Sequence, residues 1–195
     1  MAPTLSILIA SLAQRAGRLT ALVFDLESQR QRLANPGDVE ILTDVDHGEV
    51  TIGSKRNRLL DRAAGEYVAF VDDDDRVAGT YLRNLQAAAR TKADCLCFPV
   101  VVENETGVVT RMLQFSLNYP PCIVENLTQK VWPNHLCGVR RELALQARFD
   151  DSSLGEDTAF ARRLHPRLKS EAQIHKALYV YQRSAAGASS AGVTP

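Results

Sequence analysis

The chain has 195 residues, 45% of them hydrophobic, which is one globular domain's worth with room for a single sizeable core. Lys plus Arg and Asp plus Glu both number 23, and that balance leaves no overall basic footprint of the kind that drives non-specific nucleic-acid binding. The most apolar N-terminal stretch, residues 5–12, is too short to span a bilayer and has no positive region before it, so a cytoplasmic protein without a membrane helix is expected. Cys95, Cys97, Cys122 and Cys137 form no CxxC pair and read as reduced, mostly buried thiols.

In chain order, residues 4–10 are a continuous apolar, β-branched run, the pattern of a strand covered on both faces. After Gly17, Leu19, Leu22, Val23 and Leu26 recur with helical spacing and predict a helix to about Leu33, which Asn35-Pro36-Gly37 ends. Residues 39–43 form a second strand that empties into the polar, loop-like 44–48. Ser54 then caps a helix carrying Leu59, Leu60, Ala63 and Ala64, with Gly65 placed to end it in a left-handed conformation. Residues 67–71 are fully apolar and stop at Asp72-Asp73-Asp74-Asp75, so four carboxylates follow a central parallel strand, where open α/β sheets bind ligands.

A helix with Leu82, Leu85 and Ala89 on one side leads to a strand over 95–102, a hairpin turn at 103–107 and its return over 108–113. Beyond a Pro-interrupted region, 118–133, the sequence predicts helices over 139–147 and 156–164 and a final strand over 174–181. The last eleven residues are small and Ser/Gly-rich, the composition of a disordered tail. The expected organisation is one α/β domain over 1–184 whose second half decorates the first, with the tail at 185–195.

Four carboxylates in one loop repel each other unless a cation neutralises them, and hard oxygen ligands point to Mg2+ or Mn2+ rather than zinc. A solvated acidic turn has the same composition, but the position after a buried strand favours a ligand site. Glu156-Asp157 opens a helix, and Asp157 shares the side of Phe160, Ala161 and Leu164, so it is turned inward and kept ionised by the helix N-terminus. That makes it a candidate general base, although acidic residues are favoured in any first turn. Lys55, Arg56 and Arg58 lie in the first turn of the helix before the acidic strand, where they could meet a diphosphate or simply form a solvated basic face. His175, and His135 beside the only tryptophan, Trp132, are candidates for a metal ligand or an acceptor platform, with core packing as the plainer alternative.

The order of these motifs resembles the inverting family 2 glycosyltransferases with the GT-A nucleotide-sugar fold. Residues 4–11 resemble that family's first strand, and 40–44 the strand ending in a nucleotide-contacting aspartate. Lys55-Arg56-Asn57 followed by Ala64-Gly65-Glu66-Tyr67 resembles its "ARN…A-GEY-FLD" stretch. Asp72-Asp73-Asp74 falls on its DxD, and Gly155-Glu156-Asp157 on the ED motif that carries the base. None of these motifs is distinctive alone; in this order and spacing they cover most of the chain.

The resemblance implies a mostly parallel, Rossmann-like central sheet flanked by helices with a smaller antiparallel portion. It implies a metal-dependent inverting transfer of one sugar from a nucleoside-diphosphate sugar, UDP by default, to an acceptor hydroxyl. Asp157 would be the base with Glu156 beside it. Ala10, Ser11, Asp44, Lys55, Arg56, Asn57, Asp72 and Asp73 would bind the donor nucleotide, and Asp72 and Asp74 would hold Mn2+ or Mg2+. The closing 179–184 segment has Gln182-Arg183 where a histidine often helps to hold the metal, which leaves His175 as substitute. Residues 44–48 lack the usual DDGS form.

The acceptor would be a glycan or, as in small phage-type enzymes of this look, a hydroxymethylated DNA base, with Trp132 and His135 as its platform. For DNA, a basic face could be built from Arg140, Arg141, Arg148, Arg162, Arg163, Arg167 and Lys169. No obligate protein partner is evident. The competing readings are a metal-dependent phosphohydrolase or nucleotidyltransferase built on the Asp72 to Asp75 cluster, and a non-catalytic nucleotide-sugar-binding module.

Overall fold

The structure is a computed structural model and describes residues 2–182; the expected tail at 185–195 lies outside the described residues. Two six-stranded sheets form the architecture. The first begins with β1 (Leu5–Leu12), whose fully buried Leu5, Ile7, Leu8 and Ile9 explain its apolar composition. Helix α1 (Ala16–Gln31) returns the chain to β2 (Val39–Asp46), and α2 (Ile52–Arg62) returns it to β3 (Tyr67–Phe70). Both strands pair parallel to β1, on opposite sides of it. Strand order therefore reverses at β1, and the C-terminal ends of β1, β2 and β3 frame the crevice where such sheets take ligands.

After β3 come the short β4 (Arg76–Val77), helix α3 (Tyr81–Ala89) and β5 (Cys95–Cys97). Strand β10 (Gly138–Arg140) inserts antiparallel between β3 and β5, and β11 (Glu171–Gln173) closes the edge parallel to β5. The second sheet contains β6 (Val100–Glu103), β7 (Val109–Phe115), β8 (Cys122–Glu125), β9 (Thr128–Val131) and β12 (Tyr179–Gln182), with β4 on its edge. Helices α4 (Arg141–Ala147) and α5 (Glu156–Leu164) complete the chain's regular structure.

Several sequence expectations are corrected. The single strand over 95–102 is two, because the chain breaks at Phe98-Pro99 and changes sheets. The polar 44–46 segment is not loop: β2 continues to Asp46, which pairs with Leu12. Thr51, not Ser54, caps α2, its side chain accepting from the Ser54 N–H at 3.2 Å. The helix expected from Val139 starts two residues later because Gly138–Arg140 is taken as β10, and the Pro-interrupted 118–133 contains the β8–β9 hairpin. The final strand starts at Tyr179 rather than 174.

Gly65 is also needed for a different reason from the one expected. The glycines with left-handed φ among the described residues are Gly48, Gly107 and Gly155. At Gly65 the requirement is closeness: an added Cβ would sit 2.6 Å from Ser6 Oγ and 2.7 Å from Ser6 N on β1. Because backbone cannot yield as a side-chain tip does, Gly65→Ala is expected to cost about 2–3 kcal/mol, the upper part of the range for an overpacked core. At roughly 2–4 °C per kcal/mol for a chain this long, calorimetry should record a melting-temperature drop of about 4–12 °C.

Candidate active site

The acidic loop after β3 is almost fully partnered from within the chain. Asp73 is buried and accepts from Ser11 Oγ at 2.5 Å, at the end of β1, and from Arg15 at 2.8 Å. Arg15 also reaches Asp74 at 3.3 Å, and Asp73 beside it holds the guanidinium pKa above its ordinary value. Arg15 follows no motif that sequence alone would single out; it arrives through the 3-10 turn at Ala13–Arg15 that links β1 to α1.

Asp72 meets Arg56. Burial pushes the Asp72 carboxyl up, but the Arg56 guanidinium and the nearby His135 more than offset that and hold it well below the usual carboxylate range. Arg56 donates to Asp72 Oδ1 at 2.8 Å and to Glu156 Oε1 at 2.6 Å. Its side chain is 5% exposed, its guanidinium lies 5.4 Å from the Phe149 ring centroid, and its Nε has no partner. One buried cation thus ties the end of β3 to the start of α5.

Asp74 and Asp75 carry the unrelieved repulsion. Burial raises Asp74, and the Asp72 and Asp73 charges raise it further against the pull of Arg15. Asp75 is pushed up to about 8, first by burial and then by Asp72. Tyr179 Oη donates to Asp75 at 2.7 Å while accepting from the Asp72 N–H at 3.0 Å, and the Gln182 N–H donates to Asp75 at 2.7 Å. These bonds fasten β12 under the acidic loop.

On the other side of β1, Asp44 pairs with Ala10 in register and receives both Nε and Nη2 of Arg58 at 2.8 Å. Asp46, two residues on, accepts from Lys55 Nζ at 2.6 Å, and Lys55 also donates to the Ser11 carbonyl at 2.9 Å. The Lys55 hydrogen bond is the main cause of a lowered Asp46 pKa. The loop-like composition of 44–48 hides Asp46; its i, i+2 relation to Asp44 on a continuing strand is the signal that places both at one sheet end. Asn57 faces elsewhere, donating to the Phe149 carbonyl at 2.9 Å and accepting from its N–H at 3.0 Å.

The α5 start is corrected by one residue. Glu156, Phe160 and Leu164 form its buried face, so Glu156 is the inward carboxylate and Asp157 is half-exposed, its Oδ1 accepting from the Thr158 N–H at 2.6 Å. Gly155 at φ +74° makes the turn into this helix. Trp132 and His135 are likewise separated. His135 is buried, with both ring nitrogens unpartnered and Nε2 3.7 Å from Asp72, whereas Trp132 stacks on His165 at 4.0 Å and donates to the Tyr119 carbonyl.

His175 is exposed in the connection before β12. Among the described residues, the one group of three or more His, Cys, Asp or Glu ligand atoms within 4.8 Å of one another is Cys95, Cys97 and Cys137. The expected set of Asp72, Asp74 and His175 is therefore not gathered.

A strand-order reversal at β1, carboxylates at the ends of β2 and β3, and an acidic helix start linked to them by one arginine lie together at one crevice of a GT-A fold. Residues 67–180 match Glycosyl transferase family group 2, and the chain belongs to that family. Its fold is similar to that of S. aureus TarS, with a TM-score of 0.65 and 16% identity over 92% of this chain and 37% of that one. TarS 1–349 in complex with UDP-GlcNAc gives 0.59 and 14% over 92% and 58%, and the same protein in complex with UDP gives 0.63 and 15% over 93% and 61%. The chain thus spans between about two fifths and three fifths of these structures. No curated protein matches it. No described helix is long and apolar enough to cross a membrane.

Proposed function

We propose that residues 1–184 act as one cytoplasmic domain that transfers a single sugar from a UDP-sugar to an acceptor hydroxyl with inversion, assisted by Mg2+ or Mn2+. The observation that carries this reading is the Arg56 bridge, 2.8 Å to Asp72 and 2.6 Å to Glu156, which sets the acidic loop and the α5 start against one another. Uracil and ribose would meet Asp44 and Asp46 at the end of β2, once Arg58 and Lys55 exchange partners. The UDP complexes of TarS support that choice of nucleotide.

The donor atoms fit a hard cation. Among the described residues no cage of three acidic oxygens exists, but Asp74 is a partly exposed carboxylate whose charge is disfavoured by burial and by its acidic neighbours, which suits an ion held by one or two carboxylates and completed by diphosphate oxygens. When bound, the ion would offset negative charge developing on the departing diphosphate. Arg15, already paired with the acidic loop and 42% exposed, is placed to share that task, and Asp72 and Asp74 are the groups that would hold the ion.

Asp157, half-exposed at the first turn of α5, takes the acceptor proton as the hydroxyl oxygen forms its bond to the anomeric carbon and the diphosphate oxygen leaves. Glu156 holds Arg56 and is a positioning residue. A glycan hydroxyl is favoured over modified DNA as acceptor, because three of the seven residues of the expected basic face are already paired with carboxylates. Arg140 pairs with Glu66, Arg148 with Asp61 and Arg163 with Asp150.

A thermal-shift panel of nucleoside diphosphates and UDP-sugars, with and without Mn2+, tests the donor site, since ligand binding to the native state raises its melting temperature. A Mn2+-dependent rise with one UDP-sugar, lost in Asp74→Asn, is expected. No rise with any nucleotide, or one indifferent to Asp74, overturns the assignment, and metal-dependent sugar-nucleotide cleavage that no acceptor sugar diverts would turn the reading to phosphohydrolysis.

A further inference from the structure

Outside the acidic crevice, the densest group of unused chemistry is in the core of the first sheet. Cys95 and Cys97 are two apart on β5 and so project from the same face. Gly138 pairs with Leu96 and Val139 with Cys95, so continuing that register sets Cys137 against Cys97. Gly138 makes the approach possible: an added Cβ there would lie 3.0 Å from the Leu96 side chain. All three thiols are at most 1% exposed, whereas Cys122 is exposed on β8.

We propose that Cys95, Cys97 and Cys137 form a three-thiolate site for a soft, thiophilic metal ion of the zinc type, clamping β10 to β5. The spacing fits without backbone movement. The Cys95 and Cys97 sulfurs are 3.5 Å apart, and the three lie within 4.8 Å of one another. A metal–sulfur bond of about 2.3 Å requires sulfur–sulfur edges of about 3.8 Å in a tetrahedral site. Thiolates also select soft ions over the Mg2+ or Mn2+ expected at the acidic loop.

Binding of M2+ by three thiols releases their three protons and leaves one net negative charge in the core. A buried hydroxyl is nearby: Tyr81, whose ring packs 5.9 Å from that of Phe98, next in sequence to Cys97, is fully buried and its Oη has no hydrogen-bond partner. Since the sulfurs are out of reach of solvent, the ion enters as the chain folds. Its role is structural, two residues along from His135, which stands beside Asp72.

The test uses the full chain, reduced and unfolded with chelator, then refolded with or without one equivalent of Cd2+ or Zn2+. One Cd2+ per chain is expected, with an ultraviolet sulfur-to-cadmium charge-transfer band and a melting temperature raised by roughly 10 °C when the ion is far above its Kd. Cys97→Ala and Cys137→Ala should abolish the band and Cys122→Ala should keep it. Wild type that refolds without taking up either ion overturns the proposal, as does a band that survives both core substitutions or vanishes in Cys122→Ala. Wild-type uptake is read directly, so a variant that misfolds does not remove the test.

Discussion

Asp157→Asn is expected to lower the transfer rate by roughly a thousandfold while leaving donor binding and melting temperature nearly unchanged, the range lost with a general base. The asymmetry follows from the surroundings of the two α5 carboxylates. Asp157 is half-exposed and makes its hydrogen bonds to its neighbour Thr158, so asparagine keeps an acceptor at the helix start and loses only the charge. The removed charge costs at most about 1 kcal/mol of helix-end stabilisation. Single-turnover transfer measured beside UDP-sugar thermal shifts separates the effects. A variant retaining more than a tenth of wild-type rate removes Asp157 as base, and loss of both rate and donor binding assigns it to the donor site instead.

Glu156→Gln should behave in the opposite way, with its main effect on stability, because it faces inward onto a buried guanidinium. This difference marks the limit of what the sequence can resolve at α5. Adjacent helix positions are about 100° apart, as wide as the apolar face itself, so Phe160 and Leu164 align nearly as well with Asp157 as with Glu156. The structure places Glu156 in the core. Where one signal dominates, expectation and structure agree: β1 is apolar apart from Ser6 and Ser11, β3 is apolar throughout, and the α5 bounds of 156–164 follow from the acidic start and the stripe after it.

What could not be read was long-range. Three-residue β10 has no periodicity of its own, and its insertion between β3 and β5 is fixed by Gly138 against Leu96. Arg15 and Asp46 likewise become site residues through partners 58 and 9 positions away, Asp73 and Lys55. Separate local motifs identified the acidic loop and the ED pair; the guanidinium between them depends on tertiary structure, since Arg56 and Glu156 are 100 residues apart.

That guanidinium is the basis of the largest stability effect. Arg56→Met should destabilise the chain by about 3–5 kcal/mol, because it removes the partner of two carboxylates in a low-dielectric site rather than a whole ion network. At about 2–4 °C per kcal/mol, the melting temperature should fall by at least about 6 °C. Adding Glu156→Gln removes one stranded charge and should recover part of the loss, a coupling that a double-mutant cycle reads directly. The pH dependence has a fixed sign. Asp72 is held below its unfolded pKa by Arg56, so its contribution is present above about pH 4 and lost as pH falls through the folded value. The gap between wild type and Arg56→Met should therefore be widest near pH 7 and narrow below pH 4, measured with chelator present. A gap that stays constant over that range would mean that Arg56 contributes through its packing on Phe70 and Phe149, not through its charge.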